Sequence, residues 1–453
     1  MKPIVVIGGV AAGMSAASQA KRRSPGTEVI VLEQGRDVSY GACGMPYNLA
    51  DPERDIEDLV VISAPTFREK RRIDVRLEHR VNSIDRERHR VLGESPAGEF
   101  EIEYEKLIIA TGARVIRPDL PGIDLPGVHS LHTLEHARAL KRALSDPGTV
   151  EVVVAGAGYV ALEMAEGLVG LGRRVTLTKR KPRLAPWMPE ALELRLREQL
   201  DANGVEVISG APLEGFEMGS DRRLRVLAGG RRLPADLALV ALGVRPNSEV
   251  AAAAGLELGP GGAVAVDDRL LTSDPDIYAA GDCADAFHRV TGARTWIPLA
   301  LRANRAGKIA GANAIGADLR APPVAGTMAF RLFELEVARS GLSGDEATAA
   351  GFDPVSSLIH ASTRAHAFPG AGRMSVELVA DRGTGRLVGG QIVAEEGAAH
   401  RIDTIAAALA ASMTAEDLAG LDLVYSPPFG PTWDPLLVAA TQLVKVVDSG
   451  SPQ

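Results

Sequence analysis

The sequence predicts an α/β chain made of two strand–loop–helix–strand units and a C-terminal α+β region. Three observations carry this. A short β-branched run enters a small-residue loop, a helix pattern and a second apolar run near the start. The same order returns about 150 residues later. From about residue 325 the pattern changes to turn-rich strands and an alanine-rich helix.

The elements follow in order. Ile4–Ile7 reads as a buried strand, residues 8–13 as a tight loop, 14–23 as a helix and 29–32 as a second strand ending at Glu33. Residues 107–110 form a further strand closed by Thr111-Gly112. Pro118, Pro121, Gly122, Pro126 and Gly127 crowd one stretch, a crossover between domains. The second unit is a strand at 151–155, a turn at Gly156-Ala157-Gly158, a helix at 159–171 and a strand at 175–178. Strands at 237–241 and 277–280 each lead to a glycine, Gly243 and Gly281. Strands at 374–380 and 387–393 and a helix at 401–412 follow. Two such β-α-β units imply two Rossmann-like dinucleotide-binding domains. The expected boundaries are 1–115 with 245–324 for the first, 116–244 for the second and 325–453 for the third.

Composition limits the function. The chain has 453 residues, enough for about three domains. Hydrophobic residues are 46% and charged residues 24%, which excludes wholesale disorder. Acids outnumber lysine plus arginine 58 to 50, a balance that argues against nucleic acid as a partner. Two cysteines cannot build a disulfide framework. No apolar run approaches the length of a membrane span, and Met1–Ile7 is too short for a signal peptide. A soluble, cytoplasmic chain with no membrane partner and no bound metal is expected.

The first loop, Gly8-Gly9-Val10-Ala11-Ala12-Gly13, keeps the outer glycines of G-x-G-x-x-G and has Val10 at the middle one. Backbone N–H groups at the helix start can still face a pyrophosphate. Glu33, 20 residues past Gly13, can accept hydrogen bonds from a ribose. The second loop keeps Gly156 and Gly158, continues through Tyr159 and Val160, and places Ala161 where a small residue packs. Where an acid would bind a ribose 2′-hydroxyl stands Lys179-Arg180-Lys181. Basic residues attract a 2′-phosphate, which favours NADPH, with NADH as the alternative and a solvated basic loop as the structural reading. Gly281-Asp282 offers an aspartate for a flavin ribityl hydroxyl.

Cys43 lies between Gly41 and Gly44, with no second cysteine at CxxC or CxxxxC spacing. It therefore cannot cycle an internal dithiol; near a flavin a lone cysteine can form a mixed disulfide with a small thiol or pass through sulfenic acid, with a small buried hydrophobe as the structural reading. A lowered thiol pKa would help, since the thiolate is the nucleophile. Cys283, next to Asp282, reads as structural.

Taken together these segments resemble the pyridine nucleotide-disulfide oxidoreductases, the glutathione reductase-like flavoproteins. Within them the chain is most similar to the single-cysteine branch that includes the coenzyme A-disulfide reductases. The resemblance runs through the first loop, the Cys43 segment, Ala110-Thr111-Gly112, the second loop, Gly281-Asp282, Pro298-Leu299-Ala300 to Asn304-Arg305, and Tyr425 to Pro435. It implies FAD in the first unit, a nicotinamide in the second, and a homodimer formed by the C-terminal domain. It implies that FAD is held by Gly8, Val10, Ala11, Gly13, Glu33, Ala110, Thr111, Gly112, Gly281, Asp282, Pro298 and Ala300. It also implies coenzyme A contacts at Ser15, Gln19, Arg22, Ser39, Arg71, Asn304 and Trp433, with Cys43 and the other subunit's Tyr425 as catalytic groups. Ser15, Gln19 and Arg22 share one helix face, and Arg22 and Arg71 suit phosphates. Three departures stand out: Ala42 before the cysteine, Phe368 before Pro369, and Ala11 where related peroxidases and oxidases carry histidine. The expected reaction is NADPH-driven reduction of coenzyme A disulfide. Polysulfide or persulfide reduction with bound coenzyme A, oxygen reduction, and a redox-responsive interaction protein with an idle flavin are the alternatives.

Overall fold

A computed structural model describes residues 2–449. Met1 and residues 450–453, the outer ends of the first and third expected domains, lie outside the described residues. The first sheet has five parallel strands in the order Ile277–Ala279, Lys106–Ile109, Ile4–Ile7, Val29–Leu32, Asp74–Arg76. All four residues of Ile4–Ile7 are buried, as a central parallel strand covered on both faces requires. The following helix, Ala11–Arg23, starts three residues before the expected position. Ala11, Ala12 and Gly13 are small enough to continue the helix into the turn, so the loop contracts to Gly8–Val10.

The second sheet repeats the architecture, with parallel strands Glu206–Ser209, Arg174–Lys179, Glu151–Ala155, Leu237–Val240 and Val128–Ser130 in that order. The chain leaves the first sheet through Ala113–Val115 and returns through Val244–Pro246. These two segments pair antiparallel, with Arg114 opposite Arg245. Two antiparallel three-stranded sheets, at Arg80–Glu103 and Leu213–Ala235, extend the two units and were not expected.

The third sheet is antiparallel, in the order Met328–Leu332, Leu335–Gly341, Leu387–Ala394, Arg373–Asp381, Pro354–Ser362. The helices Ala398–Ala411 and Pro435–Asp448 cover one face of it. The first of these begins three residues earlier than expected, directly after Gly397, whose φ of +79° turns the chain out of the strand. The opposite face packs toward the second unit: Arg195 donates to Ser375 Oγ and the Val393 carbonyl, and Gln391 to the Trp187 carbonyl. Among the described residues no helix is long and apolar enough to cross a membrane.

Candidate functional site

The first loop is shaped by close backbone approach. Gly8 has φ +104°, and a β-carbon there would lie 2.2 Å from the Ala110 carbonyl oxygen. Gly8 thus nests against the Ala110-Thr111-Gly112 turn of the neighbouring strand. Val10 occupies the cap position of Ala11–Arg23 without side-chain capping, so the helix start keeps N–H groups for an outside acceptor. Glu33 is buried at the end of its strand. Its carboxylate accepts from the Gly9 N–H at 2.6 Å and the Gly35 N–H at 2.7 Å. Burial pushes its pKa up against those bonds. Thr111 and Asn247 bond each other's backbone, Thr111 Oγ1 at 2.5 Å and Asn247 Nδ2 at 2.9 Å, which ties this edge to the returning segment.

Beside it, on the neighbouring edge strand, Gly281-Asp282 leaves Ile277–Ala279. Asp282 Oδ1 is buried and has no hydrogen-bond partner among the described residues. Desolvation raises its pKa, partly offset by Arg302 and His132. The corner is braced by two residues that sequence reasoning missed. Trp296 Nε1 donates to the Asp282 carbonyl at 2.8 Å, and the buried Arg302 donates to the carbonyls of Gly281 and Ala284. Pro298 and Ala300 sit at the entry of the Ala300–Asn313 helix that carries Arg302. An unpartnered buried carboxylate oxygen suits the hydroxyl of a ribityl chain, and the uncapped N–H groups at the start of Ala11–Arg23 suit a pyrophosphate. The residues present fit FAD.

In the second unit Gly158 caps the Tyr159–Gly170 helix with no side-chain bond, and a β-carbon there would meet open space. Val160 is partly buried behind it, while Tyr159 is well exposed. Lys179 ends its strand; burial lowers its pKa. The carboxylate acting on it, Glu193, is claimed by Arg183 at 2.8 Å and Arg197 at 3.1 Å. Lys179, with Arg180 and Lys181 following it, thus does not rely on Glu193 as a partner.

Cys43 lies in a single turn of 3-10 helix, Ala42–Gly44, which runs into the Met45–Leu49 helix. The approach to it is pinned by the Gly41 N–H to Leu59 carbonyl bond at 2.8 Å. The residue is exposed. Its thiol is nevertheless pushed up, by desolvation first and then by the negative charges of Glu163 and Asp282. The lowering that would help a thiolate nucleophile is not supplied here: burial and two acids, rather than cations, act on the sulfur. Burial first, and then the charges of Cys43, Asp282 and Glu163, raise the Tyr159 pKa, so this side chain lies in the same region as the cysteine. Cys283 is fully buried, with its sulfur directed to the carbonyls of Ile109 and Ala280.

A cleft of about 330 Å³ opens beside the first helix. It gathers six of the seven residues expected to contact coenzyme A: Ser15, Gln19, Arg22, Ser39, Arg71 and Asn304. Ser15 Oγ donates to Asn304 Oδ1 at 2.9 Å, Arg22 to Gln19 Oε1 at 3.0 Å, and Arg71 to Ser18 Oγ at 3.3 Å. Lys308 also lines it and was missed, although it stands four residues after Asn304 on one helix face. The two helices forming this wall touch through backbone. A β-carbon on Gly307 would lie 2.1 Å from the Ala12 carbonyl oxygen, and one on Gly311 equally close to that of Ala16. Trp433, the seventh residue, is not among the cleft's lining. It lies with Tyr425 in the exposed segment before the last helix.

Residues 2–307 match the model of the pyridine nucleotide-disulphide oxidoreductases, and residues 327–435 match that family's dimerisation domain. The CoA-dependent NAD(P)H sulfur oxidoreductase of Pyrococcus furiosus is 37% identical over 447 residues, covering 98% of this chain and 99% of that protein. An NADH oxidase of Methanocaldococcus jannaschii is 31% identical over 444 residues, covering 97% and 98%. A coenzyme A disulfide reductase of Staphylococcus haemolyticus is 26% identical over 432 residues, covering 95% and 96%. The structure of an NAD-dependent persulfide reductase from A. fulgidus superposes with a TM-score of 0.94 at 35% identity, over 99% of this chain and 84% of that one. Two glycine-loop units, a cysteine between them and a dimerisation domain behind them place this chain in the pyridine nucleotide-disulphide oxidoreductase family, as an FAD-dependent NAD(P)H oxidoreductase.

Proposed function

We propose that this chain uses NADPH to reduce a sulfur–sulfur bond carried by coenzyme A, with Cys43 as the nucleophile. The observation that carries the reading is the cleft: three cations, Arg22, Arg71 and Lys308, and the Ser39 turn leading to Cys43 border one space. A nucleotide thiol fits that layout, its phosphates on the cations and its sulfur toward the cysteine.

Bound FAD supplies two-electron transfer between the nicotinamide and the Cys43 sulfur. The chain does the rest. Glu33 orients a ribose, Asp282 accepts from a ribityl hydroxyl, and Lys179 and Arg180 hold the 2′-phosphate of NADPH. The Cys43 thiolate attacks one sulfur of the substrate, forms a mixed disulfide with coenzyme A, and expels the second sulfur as a thiolate. Tyr425, reaching over from a second copy of the chain, protonates it. Two electrons from NADPH then split the mixed disulfide into the Cys43 and coenzyme A thiolates.

We place the FAD domain at 1–115 with 245–324, the nicotinamide domain at 116–244 and the dimerisation domain at 325–453. A homodimer is supported by the dimerisation-domain match and by the exposed apolar side chains of Val424, Phe429 and Trp433. A reducing cytoplasm suits the resting thiol.

The test is anaerobic NADPH oxidation by the FAD-loaded protein with coenzyme A disulfide as sole oxidant. Sustained turnover that disappears in Cys43→Ser, with flavin bleaching by NADPH retained, is the expected result. A Cys43→Ser variant turning over at the parent rate would overturn the reading. A second reading, persulfide or polysulfide reduction with coenzyme A as a resident thiol, is favoured by the names of the relatives above 35% identity. Turnover on polysulfide that depends on catalytic coenzyme A, with none on the disulfide, selects it. Turnover on oxygen alone would select the oxidase reading.

A further inference from the structure

The segment that carries Cys43 runs from Asp37, after the Val29–Leu32 strand, to Leu59. It closes on itself where the Gly41 N–H meets the Leu59 carbonyl and the Val61 N–H meets the Ser39 carbonyl. Its apolar side chains do not join the first unit's core. Met45, Leu49 and Ile56 are buried in the core of the second unit, together with Leu134, Leu140 and Leu168. Two helices of that unit hold the segment. From the nucleotide helix, Tyr159–Gly170, Glu163 Oε1 accepts a 2.7 Å hydrogen bond from Tyr47 Oη. Gly167 packs against Ala50 at the end of the cysteine helix, Met45–Leu49.

The second helix, Leu134–Leu144, adds two cations one turn apart. Arg138 spans both ends of the segment. Its guanidinium donates to the two Asp37 oxygens at 2.7 and 2.8 Å and to the two Glu57 oxygens at 2.7 and 2.8 Å. Lys141 Nζ reaches the middle. It donates to the Asn48 carbonyl at 3.4 Å, Asn48 Oδ1 at 3.3 Å, the Asp51 carbonyl at 3.2 Å and the Arg54 carbonyl. The last carbonyls of a helix have no partner within it, and a cation suits them. The buried Asn48 in turn donates to the Asp55 carbonyl at 2.7 Å.

We propose that Arg138 and Lys141 are positioning residues for Cys43: they latch the cysteine segment to the second unit, so that the sulfur keeps its place with that unit. This rests on the reading of Cys43 as the nucleophile. Removing Arg138 leaves two carboxylates that one guanidinium had spanned, and they repel. Removing the Lys141 ammonium takes the donor from three main-chain carbonyls at the end of the cysteine helix. Either change frees the segment, and a misplacement of about 1 Å can cost about a hundredfold in rate.

The variants are Lys141→Met, which keeps the stem without the charge, and Arg138→Ala, with Arg138→Lys as the conservative change. Hydrogen–deuterium exchange of the FAD-loaded protein reads the segment directly. We expect residues 38–58 to exchange roughly tenfold faster in Lys141→Met and Arg138→Ala, with the first sheet unchanged. Arg138→Lys should recover part of the protection, since an ammonium lacks the planar fork. The catalytic cycle is then split. Anaerobic bleaching of the flavin by NADPH should stay within about twofold to threefold. Reoxidation by coenzyme A disulfide, or by polysulfide where the parent prefers it, should slow roughly tenfold or more. Parent-like exchange in both variants, exchange raised throughout the chain, or both half-reactions slowed alike would overturn the proposal. So would local loosening with reoxidation unchanged. The two readings fail separately. If Cys43→Ser abolishes turnover while both latch variants behave as the parent, the cysteine reading stands and this one falls. If the segment loosens but Cys43→Ser still turns over, the latch stands and the cysteine reading falls.

Discussion

Gly167 and Ala50 set how closely the nucleotide helix lies on the cysteine helix: a β-carbon added to Gly167 would come within 2.9 Å of the Ala50 β-carbon. Gly167→Val therefore has to push the two helices apart. The expected cost is about 1–3 kcal/mol, as for overpacking elsewhere. The Tyr47–Glu163 bond lies across the same interface and should lengthen with it. Denaturant unfolding measures the first effect. A variant as stable as the parent would show that the contact has slack.

Nicotinamide preference rests on the end of the Arg174–Lys179 strand. Lys179→Glu replaces attraction for a 2′-phosphate by repulsion. Losing a charged hydrogen bond of about 1.5–3 kcal/mol corresponds to roughly 10- to 100-fold. The ratio of kcat/KM for NADPH over NADH should fall by that factor. An unchanged ratio would make the basic run an ordinary solvated surface.

Arg71 borders the cleft, stacked over the Phe67 ring at 5.0 Å and bonded to Ser18. Arg71→Ala should raise KM for a coenzyme A-linked substrate about tenfold, leaving kcat within a factor of two to three. The parent KM should also climb with salt, since exposed charges are screened. Equal losses in kcat and kcat/KM would instead assign Arg71 to the transition state.

The C-terminal sheet carries a pH-dependent element away from the cleft. Glu377 is buried, its Oε2 has no partner among the described residues, and burial raises its pKa to about 7. It stands directly opposite Gln391, whose Oε1 is also unpartnered. The raised value means that the folded chain binds this proton more tightly than the unfolded chain. Stability from it is complete below about pH 4.5 and is lost as pH rises through about 7. Glu377→Gln, which mimics the protonated acid, should exceed the parent in stability by about 3 kcal/mol at pH 8 and match it near pH 4. Urea unfolding at both pH values checks this, and a gain independent of pH would contradict it.

The sequence showed seven of the ten parallel strands among the described residues to within one residue, because each is a short, largely buried apolar run; Asp74–Arg76, Val128–Ser130 and Glu206–Ser209 were missed because they are short and mix polar with apolar residues. The two antiparallel three-stranded sheets escaped it as well. The strand Arg80–Asp85 is mostly exposed and mixes charges with apolar residues, so no run stands out. The cleft residues were legible from resemblance, and the i, i+4, i+7 spacing of Ser15, Gln19 and Arg22 was visible directly. Glu163, Tyr47 and Arg302 were not, since their partners lie elsewhere in the sequence, while the spacing of Lys308 four residues after Asn304 was a visible signal that went unread. Only a tertiary contact brings Tyr47 to Glu163, 116 residues on. The polarity of the Cys43 surroundings was likewise hidden. Glycine flanks suggested access, while the charges that matter come from other segments.

The backbone contact of Gly307 and Gly311 with Ala12 and Ala16 has a kinetic consequence. Helices that touch main chain to main chain have no room to slide, so the wall holding Ser15 and Asn304 is in its final arrangement before any ligand arrives. Little binding free energy is then diverted to freezing loose side chains. Association at this wall should follow the encounter rate, quickened by the cations at its rim, with no slow closing phase after it.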